Sequence, residues 1–214
     1  MTTHCQWNLW GRGLCLLVAL FAAPAPSISA DTETDKSPPS SKSDSEPLKS
    51  GPETGATIHS FFVRAVTGPH RNRSVCYVCR YGSRPVVMVF VQKVDRKLPA
   101  LLKAVDKIVD KNRVMGLRSF GVLVTDESSR AVPVLQTMAF DERIRMPLTA
   151  ATTAVAGPGG HRLHQDAATT VVLYREQKAV TNLAFKYGKL NDEAIGSVLD
   201  GIEELLEADT GTDK

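Results

Sequence analysis

The chain has 214 residues, of which 43% are hydrophobic, 23% charged and 6% aromatic. That is one domain of ordinary size plus extra chain, which excludes a disulfide-stapled miniprotein and a wholly disordered polymer. The formal charge of +3 is too small to point to nucleic acid, and no apolar run reaches the roughly 18 residues of a membrane span.

In chain order the first predicted element is a targeting segment. Arg12 is the sole Lys, Arg, Asp or Glu of residues 1–30; the apolar run Leu14 to Ala23 follows, then Pro24 to Ala30 with small residues at its end. A short positive region, a short apolar region and a small-residue site predict a secretory signal peptide over 1–30, cleaved after Ala30, with Ala25 as second choice. Cys15 lies at the start of the apolar stretch, which argues against a lipoprotein anchor. Residues 31–57 hold no aromatic residue and are dense in Ser, Pro, Asp, Glu and Lys, the composition of a disordered linker. The expected location is therefore extracytoplasmic, periplasmic or secreted, with no stable membrane insertion after cleavage. Cys5 and Cys15 leave with the signal. The mature chain keeps Cys76 and Cys79, one Cys-Tyr-Val-Cys motif in an oxidising environment. From residue 58 onward 22 basic residues face 17 acidic ones, the composition of a mixed solvated surface.

The folded part is predicted to span 58–208, with a disordered tail over 209–214. Phe61 to Thr67 is a β-rich run closed by Gly68-Pro69, and Val86 to Val91 is continuously apolar, as a strand covered on both faces is. Leu98, Leu101, Leu102, Val105, Ile108 and Val109 recur at helical spacing, with Pro99 in the first turn. Phe120 to Thr125 is a second buried strand, and a shorter helix is expected around Val132 to Phe140. After Pro147 the chain reads as loop through Gly157-Pro158-Gly159-Gly160. Thr170 to Tyr174 is another strand, turning through Arg175 to Lys178 into Ala179 to Phe185 as a hairpin. The last helix starts near Asn191, a good cap, with Ile195, Val198, Leu199, Ile202, Leu205 and Leu206 inward. Helices alternating with buried strands, then a hairpin and a closing helix, predict an α/β sandwich with a central mixed sheet flanked by helices.

This order resembles the thioredoxin-like superfamily, in particular its redoxin or peroxiredoxin branch. Phe61 to Gly68 is similar to that branch's opening "F-x-x-x-D-x-x-G" strand, with alanine at the aspartate position. Arg84-Pro85 with Val86 to Val91 is similar to "G-K-P-V-V-L-x-F", and Met146-Pro147-Leu148-Thr149 to "F-P-L-L-S-D". The resemblance covers about residues 58–207 and implies a thioredoxin-like fold. It also implies a reactive cysteine just after the first central strand, at the next helix's N-terminus, where a thiolate is stabilised. Those positions read Gln92-Lys93-Val94-Asp95-Arg96-Lys97, without cysteine. The proline of thioredoxins before the late strand is also missing, since that stretch reads Ala167-Ala168-Thr169-Thr170. A conventional peroxidase is not expected.

The two cysteines lie instead between the opening strand and Val86, and three readings of them stand open. They form a redox-active dithiol, with Cys76 attacking and Cys79 resolving by analogy, and with Arg73, Arg80 and Arg84, together with Arg71, favouring thiolate. A loop this short contributes only about 2 kcal/mol of chain-entropy stabilisation, which suits exchange chemistry. Alternatively they form an inert disulfide pinning a loop, in a catalytically inactive binding module. Or Cys76, Cys79, His161 and His164 make a tetrahedral zinc set. The favoured expectation is an exported thioredoxin-fold protein, enzymatic only as a thiol–disulfide oxidoreductase. Its partners would be protein thiols or disulfides and a redox partner protein. No cofactor is implied, and no nucleic acid.

Overall fold

The computed structural model describes residues 48–210, so the expected signal peptide, most of the expected linker and the last residues of the tail lie outside it. Seven strands form one sheet: β1 (Val63–Ala65), β2 (Ser74–Val75), β3 (Val86–Val91), β4 (Arg118–Val124), β5 (Leu148–Ala151), β6 (Ala167–Arg175) and β7 (Lys178–Lys186), in the order β2-β1-β5-β4-β3-β6-β7. The helices are α1 (Tyr77–Tyr81), α2 (Leu98–Lys111), α3 (Ser128–Asp141) and α4 (Asp192–Thr210). The sheet is mixed: β3 runs parallel to β4 and β4 to β5, while β6 is antiparallel to both β3 and β7.

The three apolar runs expected at the centre are adjacent, as β4, β3 and β6. Alternation explains why β3 is apolar throughout. Val87, Val89 and Val91 face a core shared with Leu101, Val105, Leu135, Val198 and Ile202, whereas Val86, Met88 and Phe90 face a second core with Tyr77, Val78, Phe120 and Tyr174. All three long helices thus pack their apolar stripes on one face, and α1 covers the other. The β6–β7 turn has Glu176 and Gln177 at φ 52° and 59°, the left-handed pair that a two-residue hairpin of the right twist requires. Asn191 Oδ1 accepts the Ala194 N–H at 2.8 Å, capping α4.

Four sequence expectations change. The opening strand is limited to Val63–Ala65, because Gly68 at φ +80° starts the turn that brings β2 back onto it. The segment after Pro147 is strand rather than loop, as β5 fills the gap between β4 and β1. The third helix begins at Ser128, with Pro133 inside it. Residues 50–57, expected to belong to the linker, lie against the domain. The buried Ser50 hydroxyl meets Thr170 Oγ1 at 2.7 Å and accepts the His164 N–H at 3.0 Å, and the Ile58 N–H donates to the Gln177 carbonyl at 2.7 Å.

Candidate redox site

Cys76 follows β2 directly and is the N-cap of α1, and it is joined to Cys79 by a disulfide with Cα atoms 5.4 Å apart. The Cys79 N–H donates to Cys76 Sγ at 3.1 Å. The five-residue helix is set by its own pattern. Tyr77, Val78 and Tyr81 turn to the sheet, leaving Cys79 and Arg80 outward. Tyr77 stacks on Phe120 at 5.1 Å between ring centroids, and the Tyr81 hydroxyl donates to the Ser119 carbonyl at 3.3 Å. Gly82 at φ +59° ends the helix, its N–H donating to the Val78 carbonyl. Burial raises the hydroxyl pKa of both tyrosines, so they stay neutral and act as packing rather than as bases.

The two sulfur residues differ in access. Cys76 is 6% exposed and belongs to the core beneath α1, whereas Cys79 is exposed. Arg71, Arg73, Arg80 and Arg84 are all exposed, on the turn, helix and loop that carry the pair. Arg64 is exposed too, but it alternates with Val63 and Ala65, which face the core beneath α1, and pairs with Ala150 of the other core, so it points to the opposite face of the sheet. Residues 54–94 contain no Asp or Glu at all.

The position after β3, where a redoxin's cysteine would stand, is filled by hydrogen-bonded polar residues. Gln92 Nε2 donates to the carbonyls of His164 and Ala167, each at 2.8 Å. Asp95 is 5% exposed, with Oδ1 accepting the Lys97 N–H at 3.1 Å and Oδ2 the Gly188 N–H at 2.6 Å. This end of the sheet is a structural junction of β3, α2 and the turn before α4.

The four residues of the zinc reading do not come together. The cysteine sulfurs are bonded to each other, and His161 is buried between Phe61 and Phe90 at 4.6 and 4.8 Å, while His164 is exposed. Among the described residues no three His, Cys, Asp or Glu side chains are grouped to hold a metal ion. Among them, too, no helix is long and apolar enough to cross a membrane.

No protein-family model matches the chain, and no curated protein does. Solved structures do. A candidate protein disulfide isomerase from Bacteroides thetaiotaomicron superposes with a TM-score of 0.57 at 17% identity, over 75% of this chain and 95% of that one. A yeast mitochondrial 1-Cys peroxiredoxin gives 0.54 at 14%, over 74% and 78%. A secreted thiol-disulfide isomerase from Corynebacterium glutamicum gives 0.53 at 12%, over 70% and 85%. The domain has the thioredoxin-like fold.

Proposed function

We propose that this protein is exported and takes part in thiol–disulfide exchange through Cys76 and Cys79, with protein thiols or disulfides as substrates. The observation that carries the reading is a Cys-x-x-Cys disulfide in a thioredoxin-like domain, one of whose residues is exposed beside arginines that meet no carboxylate among the described residues. The secreted or disulfide-exchanging character of several structural neighbours supports it. Arg73, Arg80 and Arg84 would favour the thiolate form. Export is supported by the signal-like residues 1–30, and mass spectrometry of the secreted chain should find an N-terminus at or near Asp31. Intact Met1 on cytoplasmic protein would contradict export.

A second reading has its own observation. The usual cysteine position after β3 is taken by Asp95 and its hydrogen bonds, which favours a binding module whose disulfide is only a staple. Replacing both cysteines by serine separates the two. The exchange reading predicts loss of all exchange with insulin-type disulfide substrates, at a cost of no more than about 2 kcal/mol in denaturant unfolding. A double variant that unfolds, from a wild type inert toward thiols, favours the staple.

A further inference from the structure

We propose that Cys79, not Cys76, is the sulfur that meets substrate, and that the substrate carries its thiol in an acidic polypeptide segment; this rests on the exchange reading above. Two independent observations lead there. The first is access. Cys76 is 6% exposed and belongs to the core cluster of Val75, Tyr77 and Val78, so it offers an incoming thiolate far less surface than its partner does. Cys79 lies on the outward face of α1 beside Arg80.

The chemistry runs in two displacements. A substrate thiolate attacks Cys79 Sγ; the substrate–Cys79 bond forms as the Cys76–Cys79 bond breaks, and the electron pair leaves on Cys76. The Cys79 N–H, already 3.1 Å from Cys76 Sγ, stabilises that leaving thiolate. A second substrate thiolate then attacks the substrate sulfur of the mixed disulfide and expels the Cys79 thiolate. The substrate dithiol has lost two electrons and two protons, and the protein pair has gained both. In reverse, Cys79 opens a substrate disulfide and Cys76 resolves it. This order is opposite to the one the motif suggests by analogy.

The second observation is charge. Arg71, Arg73, Arg80 and Arg84 are exposed on the turn, helix and loop that carry the pair, and none of them is within 4.0 Å of a carboxylate among the described residues. Elsewhere Arg113, Arg130, Arg145 and Arg162 each face one. No acid lies between Glu53 and Asp95 in the sequence, and exposed Glu176, whose N–H donates to the Ser83 carbonyl beside Arg84 at 3.2 Å, is outnumbered by the four arginines. Such a field attracts anionic partners and repels cationic ones. Nucleic acids and lipid headgroups carry no thiol, so the partner that fits both the charge and the chemistry is an acidic peptide or protein.

The test uses the oxidised full chain and two cysteine peptides that differ only in flanking Asp/Glu or Lys/Arg. Each rate is divided by the same peptide's rate with a small neutral disulfide. The acidic peptide should react roughly tenfold or more faster at low salt, with the ratio falling toward one at high salt. In the Arg73→Glu/Arg80→Glu variant the preference should be lost. A normalised ratio of one or below for the wild type at low salt overturns the acidic-substrate claim. The order of attack is read by acid-quenching the reaction and mapping the peptide adduct, expected on Cys79. It is read again, without any exchange, by limiting alkylation of the reduced wild type, where Cys79 should be labelled first. First labelling of Cys76 overturns the order. If Cys79 is labelled first yet neither peptide reacts, the exchange reading itself fails, and this proposal with it.

Discussion

His161 converts burial into pH dependence. It is 2% exposed, its Nδ1 lies 3.3 Å from the Val155 carbonyl, and its Nε2 is buried with no hydrogen-bond partner. Desolvation therefore lowers its pKa from 6.5 to about 4. The unfolded chain takes up this proton near pH 6.5 and the folded chain only near pH 4. The stability that the neutral ring permits is whole above pH 6.5 and is lost as pH falls toward 4. The loss reaches about 3 kcal/mol. A His161→Leu variant should lack this component, so in denaturant unfolding at pH 7 and pH 4.5 the wild type should lose stability relative to the variant on acidification. A gap that stays constant contradicts the assignment. The sequence marks His161 only as half of a histidine pair in a glycine-rich loop. What it cannot display is that Gly160 backs onto the Val155 carbonyl, where a Cβ has no room, so that the loop folds its histidine inward over Phe61. Cys79 is the reverse case. Its outward placement is legible from Tyr77, Val78 and Tyr81 as the apolar face of one helical turn, once that turn is recognised as helix.

Between elements, a few buried carboxylates do the joining. Asp106 on α2 is 9% exposed, and its two oxygens accept the N–H groups of Arg145 and Met146 at 3.0 and 2.7 Å, fixing the chain that enters β5. Asp106→Leu leaves both donors unpaired and should cost about 2–4 kcal/mol in urea unfolding, while Asp106→Asn should cost less. Equal losses in the two variants would mean that packing, not hydrogen bonding, matters there. Long elements were legible because their periodicity is long. The α2 and α4 stripes and the runs of β3, β4 and β6 each repeat several times. The short elements β2, α1 and β5 were not, since two to five residues carry no period and their pairing is decided by neighbours distant in sequence. The roles of Asp106 and Asp95 are hidden for the same reason: the backbone N–H groups they join lie 39–40 and 93 residues away.

For the whole domain, both cores depend on the sheet being covered on each face, and residues 50–57 help cover the β6–β7 side. Ser50, the backbone of residues 55–58 and the Asn182 side chain, which donates to the Pro52 carbonyl, tie this segment down. A chain beginning at residue 58 should therefore unfold at lower denaturant than one beginning at residue 48, and coincident transitions would contradict that. The overall architecture was readable because buried strands alternating with amphipathic helices admit few arrangements. Its chemistry was only half readable, because a Cys-x-x-Cys in sequence does not say which sulfur faces solvent or how readily the bond opens. The most direct test of the central claim is the reduction potential of Cys76–Cys79 in the full chain, equilibrated against thiol redox buffers and quantified by thiol labelling. The account predicts a value above about −300 mV, with reversible two-electron exchange; a value well below it, with the bond resisting strong thiol reductants in the folded state, would contradict the account.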